Sequence, residues 1–324
     1  MSNIPLPEWA PHEAVWIGFP SAADLWEQDL APARAEVAAF AAAVHADGAG
    51  EQVLLVAADE TAAAEARRLA PFATVIVEPF GDIWLRDTGA IILGRGADRR
   101  AQGFGFNGWG EKYELEGDDS IGQRLAAAAG LPYARADWIL EGGAIDGDGS
   151  GTFLTTEQCL LNPNRNPGFG RYEVEQRLSA DLGATRVVWL GDGLENDHTD
   201  GHVDNIARFV APGRVAIPEA VEDDPNAPAY ADAAEILLDA DLEVVAIPSP
   251  GLIERDGETV PASYMNFTIG NAVVVVPQYG APNDAAAVEA LQDIFPDRRV
   301  IGLRADHLLT GGGSFHCISQ QVPA

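Results

Sequence analysis

The sequence predicts an α/β fold in which a unit of about 55 residues recurs five times around a central site. Helical segments begin near residues 61, 118, 172, 229 and 284, and an apolar strand-like run follows each of them. A fixed period is typical of repeat architectures. In a propeller-like assembly, the repeats are arranged radially around a centre. Connections of hairpin length, such as Gly270-Asn271, join neighbouring strands, whereas parallel neighbours need long crossovers. They disfavour the alternative, a doubly wound parallel sheet.

Apolar runs predict the strands, and alanine-rich stretches between turn residues predict the helices. Pro32 lies near the first turn of one helix, and Pro71 and Gly130 end the next two. Residues 146–149 predict a hairpin, because Asp-Gly pairs favour tight turns. The predicted strands span residues 14–19, 53–57, 74–77, 90–93, 138–140, 187–190, 206–210, 215–217, 244–247, 264–269, 272–276 and 300–303, and the predicted helices span 32–45, 61–69, 118–129, 172–181, 229–239 and 284–295.

The composition is that of a globular domain with a strongly acidic surface. The 324 residues suffice for a sizeable core, and no linker separates two domains, so we expect a single domain over residues 1–324. The net charge is −30, and Lys112 is the only lysine. Because phosphate binding needs basic patches, we do not expect a nucleic-acid partner. An acidic surface is typical of a salt-tolerant proteome, and it also attracts cationic substrates; the two explanations are compatible.

Cysteine usage and hydropathy indicate a reducing, aqueous compartment. Cys159 and Cys317 are the only cysteines, and two make no disulfide framework. Residues 1–9 do not combine a basic stretch with an apolar one, so a signal peptide is not expected. No apolar run approaches the roughly 20 residues of a membrane span. We therefore expect a cytoplasmic protein with no membrane partner.

Residues 197–205 form a polar loop that leads into a predicted strand. They read Asp-His-Thr-Asp-Gly-His-Val-Asp-Asn, and the apolar run 206–210 follows at once. Loops held by a rigid scaffold are common places for chemistry. His202 and Asp204 lie two residues apart, so both side chains point to one face if the strand has already begun.

Cys317 is the candidate nucleophile. It follows the stretch Gly-Gly-Gly-Ser-Phe-His at 311–316, and glycines let the backbone approach a ligand closely. The alternative is a buried cysteine in a C-terminal strand. Cys159 has no glycine run and no polar cluster beyond one glutamate in its sequence surroundings, so we predict a structural role for it.

His202 is the candidate acid or base that serves Cys317. Its alternative role is that of a hydrogen-bonded core histidine. His198 lies four residues earlier, so a metal site has to be considered. Zinc accepts His and Asp ligands, but no three-ligand pattern on a helix is visible and Gly201 breaks helical spacing. We predict no metal, and we place His198 on the loop surface.

Three carboxylates stand in apolar or glycine-flanked contexts: Asp87, Glu141 and Asp204. Buried carboxylates need partners, and the N–H fork of a guanidinium is a good one. The alternatives are an ion pair with a protein arginine for Asp87 and a turn position for Glu141. Trp84 and Trp109 are candidates for packing along an aliphatic chain of a ligand or stacking on a cation, and either could equally belong to the core.

The chain closely resembles the agmatine deiminases of the guanidino-group-modifying, or pentein, superfamily, which includes peptidylarginine deiminases. The motifs that carry the resemblance are Trp84-Leu85-Arg86-Asp87, Glu141-Gly142-Gly143, Leu-Asn-Pro-Asn-Arg-Asn-Pro at 161–167, His202-Val203-Asp204-Asn205 and the stretch 311–317. Similarity extends from residue 8 to residue 321. The resemblance implies a five-bladed α/β propeller of pseudo-fivefold strand-strand-helix-strand repeats.

The resemblance also implies a role for each candidate. Cys317 attacks the guanidinium carbon, while Asp87 and Asp204 bind the guanidinium nitrogens. His202 protonates the departing ammonia and then activates water against a covalent thiouronium intermediate. Glu141 orients His202 and contacts the guanidinium. No metal and no organic cofactor are implied.

The implied substrate is agmatine, a small guanidino cation that is hydrolysed to N-carbamoylputrescine and ammonia. Its distal ammonium requires an acidic partner, and the candidates are Glu195, Asp197 and Asp200. The alternatives are a deiminase of peptidylarginine or another guanidino compound, and a non-catalytic protein that binds polyamine-type cations. The oligomeric state is open, with a homo-oligomer among the options. The expected substrate contacts are Trp84, Trp109, Asp200, Gly312 and Gly313.

Overall fold

Strands and helices alternate along the whole described part of the chain. The structure is a computed structural model that describes residues 3–221, 223–255 and 257–324. Its strands are β1 His12–Gly18, β2 Gln52–Ala57, β3 Thr74–Val77, β4 Ile91–Leu93, β5 Arg100–Gly105, β6 Tyr133–Ile139, β7 Ile145–Gly147, β8 Thr152–Thr156, β9 Arg186–Leu190, β10 Arg208–Ala211, β11 Arg214–Glu219, β12 Glu243–Pro248, β13 Glu254–Arg255, β14 Glu258–Thr259, β15 Thr268–Ile269, β16 Val273–Gln278, β17 Arg299–Arg304 and β18 Ser319–Pro323. Its α-helices are α1 Ala23–Trp26, α2 Leu30–His45, α3 Glu60–Leu69, α4 Leu85–Thr88, α5 Gly108–Glu111, α6 Asp118–Ala128, α7 Glu157–Leu160, α8 Arg171–Leu182, α9 Ala227–Asp239, α10 Asp284–Ile294 and α11 Asp306–Leu309.

One strand pattern recurs in five of the six sheets that the described residues form. Two antiparallel strands come first, and a helix then crosses to a third, parallel strand, as the short and long connections require. The sheets are β4-β5-β6, β7-β8-β9, β10-β11-β12, β15-β16-β17 and β18-β1-β2-β3, and the hairpin β13-β14 is the sixth. The mixed α/β prediction is confirmed.

The helix predicted from residue 61 does not belong to the recurring pattern. Glu60–Leu69 connects β2 to β3, which is a strand added to the first sheet. The helix that crosses between the paired strands of that sheet is α2, which follows β1 and precedes β2. The prediction therefore assigned α3 instead of α2 to the first repeat, because both helices are rich in alanine.

Two predicted elements are shorter than expected, and the strands β5, β13, β14 and β18 were missed. Residues 264–269 contain a 3-10 turn before β15, since the Ser263 side chain accepts a hydrogen bond from the Met265 backbone. Residues 203–205 are also a 3-10 turn, so the strand predicted from 206 begins at Arg208. The premise that His202 and Asp204 share a strand face is therefore wrong. Strands β5 and β18 are rich in polar residues and glycine, so they have no apolar signal.

The largest apolar core holds the segment that carries Cys317. Phe315 is fully buried and stacks on Phe40 of α2, with ring centroids 4.7 Å apart. Burying a phenylalanine contributes about 1.5–3 kcal/mol, so this contact anchors the glycine-rich stretch to α2. Strand β18 then pairs with β1 immediately after Cys317. The nucleophile thus lies between two fixed points.

No helix within the described residues is long and apolar enough to cross a bilayer.

Candidate active site

Four separate segments bring the predicted catalytic side chains together. Asp87 lies in α4, Glu141 precedes the 3-10 turn Gly142–Ala144, His202 and Asp204 flank the start of the next such turn, and Cys317 precedes β18. A backbone hydrogen bond of 2.9 Å from the N–H of Arg86 to the carbonyl of Cys317 joins α4 to the nucleophile segment. All five side chains are buried, with at most 6% of each residue exposed.

Gly143 lies at the point where three of these side chains meet. A Cβ atom at this position would stand 2.6 Å from His202 Nδ1, 2.8 Å from Asp87 Oδ1 and 3.1 Å from Asp204 Oδ2. These separations are shorter than ordinary van der Waals contacts, so the three groups converge around a position that only glycine can fill. Its backbone N–H also donates to Asp87 Oδ1 over 2.9 Å.

The Cys317 thiol lies beside one amide and one carboxylate. Asn266 Nδ2 donates to Sγ over 3.0 Å, and Asp204 Oδ2 is 3.8 Å from Sγ. Burial raises the pKa of Cys317 well above its ordinary value, and the negative charges of Asp204 and Asp87 raise it further. The thiol is therefore protonated until a positive charge arrives beside it.

Asp87 is held by two donors that fix both of its oxygens. Trp109 Nε1 donates to Oδ2 over 2.9 Å, and Gly143 donates to Oδ1. Burial raises the pKa of Asp87, and the nearby His202 opposes that rise. A carboxylate in this position gains from binding a cation, because the cation offsets the cost of its desolvation.

His202 lies among acidic groups on several sides. Its Nδ1 is 3.7 Å from Asp87 Oδ1. Burial alone would lower the pKa of His202, but Asp87, Cys159 and Glu141 outweigh burial and raise it well above the ordinary value. The ring is thus held as an imidazolium, which can donate a proton to a leaving group.

Cys159 lies near His202, a polar neighbour that its local sequence does not reveal. The ligand atoms of Glu141, Cys159 and His202 all lie within 4.8 Å of one another. Groups of this spacing can bind metals. However, the Arg165 guanidinium already forms an ion pair with Glu141, so this cluster is the environment of His202 rather than a cation site.

Glu141 forms its direct ion pair with Arg165. Arg165 Nε donates to Glu141 Oε1 over 2.6 Å, and both side chains are fully buried. Glu141 therefore acts on His202 through its charge at short range, while Arg165 fixes where that charge lies. Such a pair is costly to break, because the remaining charge would be buried without a partner.

Several buried polar atoms around the site have no hydrogen-bond partner among the described residues. They include Asp204 Oδ1, Glu141 Oε2 and both ring nitrogens of His202. Buried polar groups are nearly always paired, and each exception calls for an explanation. Acceptors on two carboxylates beside a nucleophile match the N–H groups of a guanidinium.

A cavity of about 190 Å³ leads to Cys317. Four of the residues predicted to contact the substrate line it: Trp84, Trp109, Gly312 and Gly313. A Cβ atom at Gly313 would stand 2.5 Å from the Trp84 ring, so the glycine lets the backbone cover that ring. The remaining lining residues include Leu25, Asp82, Asp87, Tyr113, Leu115, His198, Thr199, Thr310 and Gly311.

Asp200 is not among the residues that line this cavity, and its predicted contact with the substrate stays a prediction. One of its oxygens pairs with Lys112 at 2.6 Å and the other with Arg165 at 2.5 Å. The other two acidic candidates for the distal ammonium, Glu195 and Asp197, line a surface cleft, and Asp197 also lines a second cleft that shares Tyr113, His198 and Gly312 with the cavity. His198 is exposed on the loop, as predicted, and it also lines the cavity, with its Nδ1 2.9 Å from the Tyr113 hydroxyl.

Sequence reasoning missed four residues that hold the site: Gly143, Arg165, Asn266 and His316. Gly143 and Arg165 lie inside motifs that were singled out, so their glycine and guanidinium chemistry could have marked them. Asn266 lies in Tyr-Met-Asn-Phe, where no local pattern marks it. Its amide reaches Cys317 because of the 3-10 turn that replaces the predicted strand.

Comparison with known proteins gives the family. The family model described as Porphyromonas-type peptidyl-arginine deiminase matches residues 5–323. The chain belongs to this family. A Vibrio parahaemolyticus protein with the provisional name of agmatine deiminase is 36% identical over 98% of this chain and 96% of its own length.

Two solved structures of family relatives are similar over almost the whole chain. The Enterococcus faecalis agmatine deiminase has a TM-score of 0.93 and 33% identity, and the match covers 99% of this chain and 95% of that chain. A C. jejuni agmatine deiminase, a Cys-to-Ser variant with substrate bound, has a TM-score of 0.90 and 28% identity, with 99% and 96% coverage.

Proposed function

We propose that this protein is an agmatine deiminase that hydrolyses agmatine to N-carbamoylputrescine and ammonia. The observation that carries the proposal is a pair of buried acceptors without partners among the described residues: Asp204 Oδ1, on the carboxylate that lies 3.8 Å from the Cys317 thiol, and Glu141 Oε2, near His202. A planar guanidinium offers N–H donors to such acceptors, and its carbon then lies next to the nucleophile. The names of the relatives support the same substrate.

In the first half of the reaction, Asp87 and Asp204 hold the guanidinium. Its positive charge offsets the two carboxylates, so the pKa of Cys317 falls, and the thiol releases its proton to water in the cavity to form the thiolate. Sγ forms a bond to the guanidinium carbon, and the bond from that carbon to one nitrogen breaks. The His202 imidazolium gives its proton to the departing ammonia. A covalent thiouronium intermediate remains.

In the second half, water takes the place of ammonia. His202 removes a proton from the water, whose oxygen bonds to the same carbon, and the bond from that carbon to Sγ breaks. The second proton of the water passes to Sγ, so Cys317 returns to the thiol as N-carbamoylputrescine leaves, and the ammonia takes up in solution the proton that the thiol released. A guanidinium and a water become a urea group and an ammonium, so the net reaction neither takes up nor releases a proton. None of the proposed steps uses a metal or an organic cofactor.

Aromatic side chains support a proposal for the distal end of the substrate. Trp109 and Tyr113 line the cavity and lie edge to face, with ring centroids 5.8 Å apart. Aromatic faces attract ammonium groups. Asp200 is neutralised by Lys112 and Arg165, so it is a poor partner for this ammonium. We place the butyl chain and its ammonium along the aromatic walls.

The overall assembly that we propose is one domain, in which the five sheets with the recurring pattern stand radially around the site as a five-bladed propeller. The shared order of antiparallel and parallel strands supports it, as does the pairing of β18 with β1. Cytoplasmic location and the choice between monomer and homo-oligomer stay predictions.

The test is ammonia release by the purified protein from agmatine, free arginine and a blocked arginine peptide in parallel. We expect release from agmatine alone, and we expect its loss in Cys317→Ala while the melting temperature is kept. Release from the peptide would retain the mechanism and overturn the substrate. No release from any of the three by a folded protein would overturn the proposed function.

A further inference from the structure

Directly behind the site, His316 bridges two buried carboxylates. Its Nδ1 lies 2.7 Å from Asp204 Oδ2, and its Nε2 lies 3.1 Å from Glu8 Oε2. Only 3% of His316 is exposed. A carboxylate accepts hydrogen bonds, so a ring that meets one at each nitrogen donates from both, and that is the imidazolium form.

The bridge belongs to a longer series of alternating charges. Beyond His316, Glu8 pairs with the fully buried Arg208, and Arg208 Nε donates to Asp146 Oδ2 over 2.6 Å. Arg208 Nη1 also donates to the backbone carbonyls of two residues that precede β15, over 3.1 and 2.9 Å. Each charged group thus has oppositely charged neighbours, and hydrogen bonds to the backbone hold Arg208 in place.

From this geometry we propose that His316 is a positioning residue that keeps Asp204 ionised and fixes its orientation for binding the guanidinium. The hydrogen bond engages Oδ2 and leaves Oδ1 without a partner among the described residues, so Oδ1 is available to the substrate. The inference rests on the proposed function, because it names how one substrate-binding carboxylate keeps its charge.

Electrostatics support the same role. Burial would raise the pKa of Asp204, but the hydrogen bond and charge of His316, together with the charges of His202 and Arg208, hold that pKa below its usual value. His202 and Arg208 act in the same direction, and both are secondary to His316. Around His316 itself the charged groups are Asp204, Glu8 and Arg86, whose Nε donates to the His316 carbonyl over 3.4 Å.

A series of titratable groups could alternatively carry protons away from the site. The proposed reaction is balanced in protons, so it needs no such exit. The fixed donors on Arg208 also favour a rigid role, because they leave the series no freedom to rearrange. We therefore assign the series to holding charge rather than to moving protons.

The test compares agmatine binding in Cys317→Ala and in Cys317→Ala/His316→Asn by calorimetry from pH 8 to pH 6. Asparagine places an amide N–H near the position of Nδ1, so it keeps the hydrogen bond and removes the charge. Asp204 then takes up a proton more readily and must release it to bind a cation. We expect affinity to fall by about tenfold per pH unit in the double variant, against less than about threefold overall in the parent.

His307→Asn in the same background is the matched control. His307 also pairs with a carboxylate, with its Nδ1 2.5 Å from Asp29 Oδ1, but it does not line the cavity. We expect this variant to follow the parent. An unchanged pH profile in the His316 variant, or a loss of affinity that is equal at every pH, would overturn the proposal, since a purely structural role predicts the second result.

Glu8→Gln keeps the test decisive if His316→Asn fails to fold. Glutamine retains an acceptor for Nε2 but removes the distant charge, and Glu8 does not line the substrate cavity. Without the Glu8 carboxylate the His316 ring gives up its proton at a lower pH than in the parent, so we expect a loss of affinity that grows from pH 6 to pH 8, the opposite direction to the His316 variant. A profile equal to that of the parent would contradict the proposal. If the parent binds no agmatine at any pH, the proposed function fails separately. In that case, carbon-13 titration of the Asp204 carboxyl tests the role of His316: we expect the pKa of Asp204 to be higher in His316→Asn than in wild type.

Discussion

Gly143→Ala tests whether the site is assembled around a position without a side chain. The Cβ atom would lie 2.6 Å from His202 Nδ1, whereas ordinary contacts begin at 3.4 Å. The difference, 3.4 minus 2.6, requires a displacement of about 0.8 Å, shared between the backbone and the three side chains that meet there. Gly143 is not among the residues with positive φ, so alanine adds no backbone strain and the side-chain contact is the whole perturbation.

The expected cost falls on catalysis more than on stability. A misplacement of about 1 Å between reacting groups can lower a rate by about 100-fold, so we expect kcat/KM to fall by about that factor. Overpacking of this kind destabilises by about 1–3 kcal/mol. Because Asp87 and Asp204 hold the substrate while His202 transfers protons, both KM and kcat should change.

Steady-state ammonia release from agmatine and thermal melting measure the two effects. Gly170→Ala is the control, since its Cβ would meet only the end of the Glu173 side chain at 3.3 Å. The control should keep wild-type activity. If Gly143→Ala stays within about threefold of the wild-type kcat/KM, the convergence of the three side chains on Gly143 does not matter for the reaction and the reasoning is refuted.

Three further predictions concern the thiol, the buried ion pair and the surface charge. In the free enzyme, the rate at which iodoacetamide alkylates Cys317, followed by mass spectrometry, should still rise with pH above 9.0, because burial raises the pKa of the thiol. The fully buried Cys159 should stay unlabelled. A rate that reaches a plateau below pH 8 would contradict this prediction. Arg165→Met should destabilise the protein by about 3–5 kcal/mol in denaturant titrations, because it leaves Glu141 buried without its cation, and a change below about 1 kcal/mol would be evidence against that pair. With a net charge of −30, the melting temperature should rise with added salt at neutral pH, since salt screens self-repulsion, and a flat or falling curve would disprove it.

Rare residue types in glycine-rich or apolar contexts made much of the site predictable. Cys317 follows a glycine run, and Asp87 and Glu141 interrupt apolar or glycine-flanked stretches, so each carries a local signal. The long helices were predictable for a similar reason, because alanine content and end signals are local. Even so, the roles of these residues in catalysis are proposals that the experiments above test.

Partners that lie far apart in sequence could not be predicted. Among the acidic residues of the loop before His202, nothing local distinguishes a substrate contact from a structural anion. Asp200, for example, pairs with Lys112 and Arg165, which lie 88 and 35 residues away. The polar strand β18 was missed for a related reason. Its residues serve the site, as when Gln321 Oε1 accepts from Arg86 over 2.8 Å, so they lack apolar periodicity.

The pairing of β18 with β1 has a consequence for how the chain is made on the ribosome. Strand β1 is synthesised before all the other strands and β18 after them, so the partner edge of β1 stays open throughout translation. Open strand edges invite pairing with other chains. Cys317 lies two residues before β18, so the nucleophile and the protecting strand emerge together. A nascent chain released before β18 is made lacks both Cys317 and the strand that covers the edge of β1. Cellular quality control would therefore meet an inactive, aggregation-prone fragment rather than a partly active enzyme.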